Sequence, residues 1–86
     1  MKPIRWTNHA RIKARQRNIL DDVVIEAIKD PEHITPGHLP RSIYSRRYFD
    51  KQLQSEMLLR IIVEETDIEI IIISVYKTSK FAKYIK

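Results

Sequence analysis

The first third of the chain carries the residue pattern of two short helices. Thr7 and Asn8 both favour the N-cap position, and the residues that follow are mostly Arg, Lys, Ala and Gln, which are strong helix formers. A first helix is therefore predicted over residues 8–17. Asn18 tolerates a left-handed backbone and is expected to end it.

A second helix is predicted over residues 22–30, capped by Asp21 or Asp22 and stopped by Pro31. Its apolar residues recur at spacings i, i+1, i+4 and i+5, which places them in one stripe along the helix. This stripe is expected to be buried against the rest of the domain.

After the second helix the pattern changes to that of β-structure. Residues 31–40 contain three prolines and a glycine, so they are predicted to form a loop with a short strand at residues 33–35. From Arg41 onward apolar and polar residues alternate with a period of two and include many β-formers, which indicates a strand.

The strongest strand signals lie in the last third of the chain. Strands are predicted over residues 57–64 and 68–77, joined by a turn at residues 65–67 into an antiparallel hairpin. Isoleucines at positions 70 to 73 occupy both faces of the second strand, which indicates that it is covered on both sides. The predicted fold is α+β, a single domain over residues 1–86 with two N-terminal helices packed on one face of a three- to four-stranded antiparallel sheet.

Composition bears on the cellular location of the protein and on the kinds of site it can contain. The 86 residues include no cysteine, so disulfides and thiolate metal sites cannot stabilise the domain, and a cytoplasmic location is expected. The N-terminus lacks the apolar segment of a signal peptide, and five charged residues interrupt the most apolar stretch, so no membrane span is predicted. The three histidines have no metal-ligand spacing, and neither a metal nor a cofactor is expected.

Charge is segregated along the sequence. The net charge is +5, and residues 1–20 carry six basic side chains and no acid, whereas residues 21–34 carry five acids. Such a basic segment usually binds polyanions, and RNA is the expected partner. The alternative is that the many Lys, Glu, Arg and Ile residues reflect a thermophilic composition.

The first helix carries the most specific pattern of candidate chemistry. His9, Lys13 and Arg17 are four residues apart and share one helix face, while Arg11 and Arg15 form a second basic row. An imidazole aligned with two cations suits a phosphodiester and proton transfer near neutral pH. The alternative is a solvated basic helix.

Two further candidates lie on the predicted strands. Arg60 is placed among apolar neighbours, where a guanidinium on a rigid strand suits an anionic oxygen, unless it only extends its head group to water. Ser74, Tyr76 and Thr78 alternate along the last strand and share one face. Tyr76 is therefore a candidate proton donor or base-stacking residue, with a purely structural role as the alternative.

These features together resemble the DUF4258 family of short bacterial and archaeal proteins. The resemblance rests on His9-Ala10 opening a helix with cations at 13 and 17, the segment DDVVIEAIKDP, Arg60 before an isoleucine-rich strand and the terminal SVYKTSKFAKYI. It covers about residues 6–85. Lys13 stands where the family usually has arginine, and Asn18 where it usually has glycine.

The DUF4258 family is similar to the RelE/ParE-type toxins and related small ribonucleases. The resemblance implies a metal-independent endoribonuclease that cleaves RNA through attack of the ribose 2′-OH, and a partner antitoxin. His9 would act as general base or acid, Lys13, Arg17 and Arg60 would hold the phosphate, and Ser74 or Tyr76 would complete the site. Further residues expected to bind RNA are Arg11, Arg15, Arg46, Lys77 and Lys80. The alternatives are a non-catalytic RNA- or DNA-binding module and a protein-interaction domain.

Overall fold

The computed structural model describes residues 1–84 of the chain. Within this range the fold is α+β, with one five-stranded sheet and three helices. The elements follow in the order β1 (Ile4–Trp6), α1 (Asn8–Gln16), α2 (Asp21–Lys29), β2 (His33–Pro36), β3 (Arg41–Asp50), β4 (Ser55–Glu65), β5 (Ile70–Thr78) and α3 (Phe81–Tyr84).

The sheet is mixed and has the strand order β1-β5-β4-β3-β2. All neighbouring strands are antiparallel except β1, which pairs in parallel with β5 from Ile4 opposite Ile70 to Trp6 opposite Ile72. The sheet thus differs from the predicted three- to four-stranded antiparallel one. A three-residue strand has too few positions to show a period, and its partner lies more than sixty residues away in sequence, so β1 depends on tertiary pairing.

The predicted hairpin is present as β4 and β5, closed by a turn in which the Thr66 amide donates to the Glu69 carbonyl at 2.9 Å. The register of the hairpin shifts between Ile62 and Val63. Ile62 pairs with Ser74, but Val63 pairs with Ile72. Ile73 is the extra residue of this β-bulge. The bulge brings both Ile72 and Val75 into the buried core.

The start of α1 is fixed to β5 by Thr7. Its Oγ1 accepts a hydrogen bond from the Ala10 amide at 3.1 Å and donates one to the Ile72 carbonyl at 2.8 Å. Thr7 is therefore the N-cap, and Asn18 adopts the expected left-handed conformation, with φ of 53°, after the helix ends. The cap of α1 thereby also sets its position on the sheet.

The cap of α2 differs from the prediction. The N-cap residue is Leu20, with no side-chain cap, and Asp21 and Asp22 lie in the first turn. Acidic side chains in a first turn interact favourably with the positive end of the helix dipole, so they stabilise the same helix end by a different route. Asp21 is also 3.7 Å from Arg11.

The core lies between the two longer helices and one face of the sheet. Ala10 and Ala14 of α1 and Ala27 of α2 are fully or almost fully buried, and they form one cluster with Leu59 and Ile61 of β4. Small alanine side chains allow the helix backbones to approach the strands closely. None of the helices within residues 1–84 has the length and apolarity needed to cross a membrane.

The end of the chain is folded onto the sheet as far as the structure describes it. Lys77 and Thr78 complete β5, and Phe81–Tyr84 form the single turn of α3. Residues 85 and 86, the last of the terminal SVYKTSKFAKYIK segment, lie outside the described residues.

A buried ion pair joins the end of β3 to β5. Lys77 Nζ donates to Asp50 Oδ2 at 2.6 Å, and the two side chains are only 13% and 5% exposed. Asp50 Oδ1 also accepts the Gln52 and Leu53 amides, both at 3.0 Å, which orders the β3–β4 turn. The Lys77 hydrogen bond is the chief reason why the pKa of Asp50 is below its ordinary value.

We predict that Asp50→Asn lowers the free energy of unfolding at pH 7 by about 3 kcal/mol, because it leaves the buried ammonium of Lys77 without its counter-charge. A carboxyl with a depressed pKa stabilises the fold above its unfolded pKa of about 3.9, and this stability is lost as pH falls through the lower folded value. Urea unfolding at pH 7 and pH 3 measures both effects, and the variant is expected to lose part of the acid sensitivity.

Glu69→Gln removes the more exposed pair with Arg5 and is the matched control, with an expected change of at most about 1 kcal/mol. Equal losses in the two variants would contradict the prediction.

Candidate functional site

Arg60 lies in the middle of the sheet, on the face away from α1 and α2. It belongs to β4 and pairs with Ser45 of β3 and Tyr76 of β5. Its neighbours Leu59 and Ile61 are fully buried in the helix-side core, and side chains alternate along a strand. The Arg60 side chain therefore emerges on the opposite face, as the alternation in the sequence predicts.

The guanidinium of Arg60 is buried without a counter-charge from the described residues. Arg60 is 7% exposed, and it forms no ion pair within residues 1–84. Its Nε is a buried donor with no hydrogen-bond partner in that part of the chain. Buried charges are normally paired, and an unpaired one costs several kcal/mol. This cost is what an anionic ligand would relieve.

Two tyrosines flank this guanidinium. Its central carbon lies 3.9 Å from the ring centroid of Tyr84 and 5.8 Å from that of Tyr76. Tyr84 belongs to α3, so the last turn of helix lies over the sheet face that carries Arg60. Cation–π contacts stabilise the charge from the ring faces but accept none of its N–H donors in the guanidinium plane. The in-plane donors are the ones that would bind an oxyanion.

The two phenols differ in their acidity. Burial raises the pKa of Tyr76, although the positive charge of Arg60 opposes this. Burial acts in the same direction on Tyr84, but the charge of Lys83, the Tyr76 hydroxyl and the charge of Arg60 together lower the pKa of Tyr84 below its ordinary value. Lys83 Nζ lies 5.4 Å from the Tyr84 ring centroid. The site therefore contains one phenol that holds its proton more tightly and one that releases it more readily.

The other predicted hydroxyls lie on the same sheet face. Ser74 pairs with Ile62, Tyr76 with Arg60 and Thr78 with Leu58. Because these positions are two residues apart, their side chains lie on the sheet face that carries Arg60. Ser74, Tyr76 and Thr78 are all half-buried. They form a row of hydroxyl groups along β5 that passes beside Arg60.

The residues of the first helix are placed elsewhere. His9 is exposed, Lys13 donates weakly to Gln16 Oε1 at 3.4 Å, and Arg17 Nη1 donates to the Val75 carbonyl at 2.7 Å. Arg17 thus reaches β5 one residue before Tyr76. No described contact joins His9 to Arg60, because α1 packs on the helix side of the sheet. The single site that combines His9 with Arg60 therefore stays a prediction.

The remaining cations divide into paired and unpaired groups. Arg46 donates to the carbonyl and carboxylate of Asp30, at 2.6 and 2.9 Å, and Lys77 is held by Asp50. Arg11 lies 5.1 Å from the Trp6 ring centroid. Arg15 and Lys80 are exposed and form no ion pair within residues 1–84, so their charges are the most available to a polyanion.

Sequence reasoning missed Tyr84. A signal was present, since Phe81 and Tyr84 are three residues apart and such a spacing places two aromatic rings on one helical face. A single helical turn, however, is stable only through its tertiary contacts. The position of Tyr84 over Arg60 therefore required the folded sheet.

Comparison of the chain with protein-family models, curated proteins and solved structures found no match. The resemblance to the DUF4258 family therefore stays a prediction. In the part of the chain that the structure describes, no group of three or more His, Asp or Glu side chains is arranged to hold a metal ion.

We predict that Arg60→Met leaves the free energy of unfolding unchanged or raises it, on the order of 1 kcal/mol, because it replaces a buried unpaired charge by an apolar side chain of similar length. Urea denaturation of the two proteins in buffer without phosphate measures this. Arg46→Met is the control, since it breaks two charge-assisted hydrogen bonds to Asp30 and is expected to destabilise. A loss of more than about 2 kcal/mol in Arg60→Met would mean that Arg60 has a structural role instead.

Proposed function

We propose that this protein binds RNA by holding a phosphodiester at Arg60, and that it cuts the RNA strand at that phosphate without a metal ion. The observation that carries the proposal is the buried guanidinium of Arg60, whose Nε has no partner among residues 1–84 and which two tyrosine rings flank. An arginine kept at this energetic cost is typical of a binding site.

The chemistry of the surrounding surface favours RNA over other anions. The chain has a net charge of +5, and exposed cations such as Arg15, Lys80 and Lys83 can approach further phosphates. Unpaired bases stack on tyrosine rings, and aromatic groups beside cations are the usual platform for single-stranded nucleic acid. Tyr76 and Tyr84 supply such rings next to the phosphate-binding group.

The acidities of the two tyrosines fit an acid–base reaction on RNA. In its deprotonated form, which its lowered pKa makes easier to reach, Tyr84 takes the proton from the ribose 2′-OH, whose oxygen then attacks the adjacent phosphorus. Arg60 stabilises the negative charge that develops on the phosphoryl oxygens. Tyr76, which holds its proton, gives it to the departing 5′-oxygen, and a 2′,3′-cyclic phosphate remains. His9 is the competing candidate for the proton-transfer role.

The proposal includes the wider identity that the sequence suggests. The α+β architecture with α1 and α2 against one sheet face supports placing the chain near the DUF4258 family and the RelE/ParE-type proteins. A partner antitoxin belongs to the same proposal, and so does a cytoplasmic location. RNA binding without cleavage is the second candidate, because an unpartnered arginine beside aromatic rings is sufficient for binding alone.

We predict cleavage of single-stranded RNA in EDTA, with 2′,3′-cyclic phosphate ends and no cutting of DNA, which lacks the 2′-OH. Positioned acid–base catalysis contributes about 10²–10⁴-fold, so Tyr84→Phe should lose about that factor in rate, and Arg60→Met should lose both cleavage and affinity. Labelled RNA on denaturing gels measures rate, and fluorescence anisotropy measures binding. The matched controls are Tyr44→Phe and Arg41→Met. The Tyr44 hydroxyl donates a hydrogen bond to Glu65 on the helix side, and Arg41 lies 4.0 Å from the Glu64 carboxylate.

The outcomes separate the candidates. If His9→Ala loses the rate and Tyr84→Phe does not, the proton-transfer role belongs to His9. RNA that is bound at Arg60 but left intact would make the chain a binding module. If Arg60→Met binds and cuts as the unmodified protein does, the site at Arg60 is wrong.

We predict a steep fall of RNA affinity with salt, because each neutralised phosphate of a single strand contributes about 0.7 to the log–log slope. The double variant Arg11→Gln, Arg15→Gln should reduce the slope by about 1.4 if both side chains contact phosphates. Titrations between roughly 50 and 300 mM salt, over which the Debye length falls from about 14 Å to about 6 Å, provide the measurement. Arg5→Gln is the control, since Glu69 at 2.9 Å already compensates its charge, and an equal effect there would show that only net charge matters.

A further inference from the structure

A row of four side chains crosses the sheet at Arg60, on the face that carries this residue. Arg60 pairs with Tyr76 on one side and with Ser45 on the other, and Ser45 pairs in turn with His33 of β2. Residues directly opposite each other on antiparallel strands project their side chains from the same face. The four side chains therefore form one line across the strands. The proposed cleavage reaction uses only the end of this line at Arg60 and Tyr76.

Ser45 forms a low point in this row, between Arg60 and His33. Serine has the smallest side chain of the four, and Ser45 is only 3% exposed, whereas His33 is exposed on the edge strand. Arg47 lies two residues from Ser45 on the same face of β3, and its Nη2 donates to Glu32 Oε2 at 2.8 Å. The result is a shallow trough over Ser45, with His33 at one end and Arg60 at the other. The ion pair of Arg47 with Glu32 borders one side of the trough.

The length of the trough suits one nucleotide. Neighbouring strands lie about 4.8 Å apart, so the Cα atoms of His33 and Arg60, two strand spacings apart, are separated by about 10 Å. Both side chains are long enough to lean over Ser45 towards a ligand between them. A nucleotide whose phosphate is held by Arg60 can therefore place a base against the His33 ring.

The imidazole of His33 is available for such a contact. His33 is exposed, and it takes part in no ion pair among the residues that the structure describes. Unpaired RNA bases stack on aromatic side chains, histidine among them. The opposite end of the row has the rings of Tyr76 and Tyr84 beside Arg60. The row thus offers a ring on each side of the phosphate-binding group, which matches two neighbouring nucleotides.

The other direction that an RNA strand could take runs along the sheet towards Phe49. Phe49 is 58% exposed and lies on the same face, four residues beyond Ser45 on β3. Leu58, which lies on this face between Arg60 and Phe49, is fully buried, so that part of the sheet is already covered. Glu56 lies opposite Phe49 and would repel a phosphate. The path across the strands is therefore favoured.

We infer that His33 stacks on the base of a nucleotide next to the phosphate held at Arg60, so that single-stranded RNA crosses the sheet from the tyrosines towards β2. This base-binding subsite rests on the proposed function, because it requires a phosphate at Arg60. It also specifies the kind of RNA. Bases within a duplex are paired and stacked on one another, so only an unpaired base can lie on the His33 ring.

Two probes, used at low salt, test the inference in binding experiments. The first is a short single-stranded RNA with 2′-O-methyl groups, which cannot be cut because the attacking hydroxyl is blocked. The second is the same sugar–phosphate chain without bases. Fluorescence anisotropy is expected to show that His33→Ala weakens binding of the first probe about tenfold, as the loss of one stacked base does, and leaves binding of the second unchanged. His33→Phe should retain the affinity for both probes, because it retains the ring.

Two control variants accompany the test. His38→Ala removes an exposed histidine from the β2–β3 connection, outside the row. Ile34→Ala changes the same edge strand, but its side chain lies on the other face of the sheet. Both should leave the affinity for the two probes unchanged. Because His33, Ile34 and His38 are all exposed, none of these substitutions should unfold the protein.

The outcomes separate this inference from the proposed function. Arg60→Met should weaken binding of both probes, because it removes the phosphate contact. If it does so and His33→Ala weakens neither, the phosphate site stands and the stacking subsite is wrong. If Arg60→Met weakens neither probe, the proposed function is wrong and the inference fails with it.

Two further results would overturn the stacking role. An equal loss for both probes in His33→Ala, or a loss of affinity in His33→Phe, would show that His33 acts through its charge or its N–H donors. A loss of affinity for the first probe in Phe49→Ala, with none in His33→Ala, would place the RNA along β3 instead.

Discussion

The architecture depends on the central position of β4, which pairs along most of its length with β3 on one side and β5 on the other. Because side chains alternate along a strand, burying Leu59 and Ile61 beneath α1 and α2 commits Arg60 to the other face. A shift of one residue in this register would move a charge into the apolar core, so the register is strongly determined. The placement of the candidate site therefore follows from the packing of the core.

Arg60 is the point at which local stability and function conflict. In a chain of 86 residues with no disulfide, the margin of stability is small, and a buried guanidinium without a carboxylate from the described residues reduces it further. The rings of Tyr76 and Tyr84 compensate in part while leaving the in-plane donors available. By contrast, the partly buried Lys77 and Arg46 are paired with Asp50 and Asp30, so the lack of a carboxylate beside Arg60 is informative.

The sheet also separates two surfaces with different chemistry. On the helix side, Ala14, Ile19 and Val23 line a groove beside the exposed Arg15, and on the other side Arg60 and the tyrosines suit a phosphodiester. The connection between them is Lys77, which lies on β5 next to Tyr76 and holds Asp50 in the groove lining.

Helix-forming residues after a cap determined α1, and periodicity determined α2, the β4–β5 hairpin and the side of the sheet on which Arg60 lies, because each of these signals lies within one segment. Thr7 as a cap and the left-handed Asn18 were also readable, since each reflects a local backbone preference. The sequence did not determine the parallel strand β1, the Leu20 cap of α2, or the turn of α3, all of which are short and depend on partners distant in sequence. It also grouped His9 with Arg60 by residue type, and that combined site stays a prediction. Only the tertiary structure placed Tyr84 over Arg60, because a contact between a one-turn helix and a strand more than twenty residues earlier is decided by the register of β4 and β5.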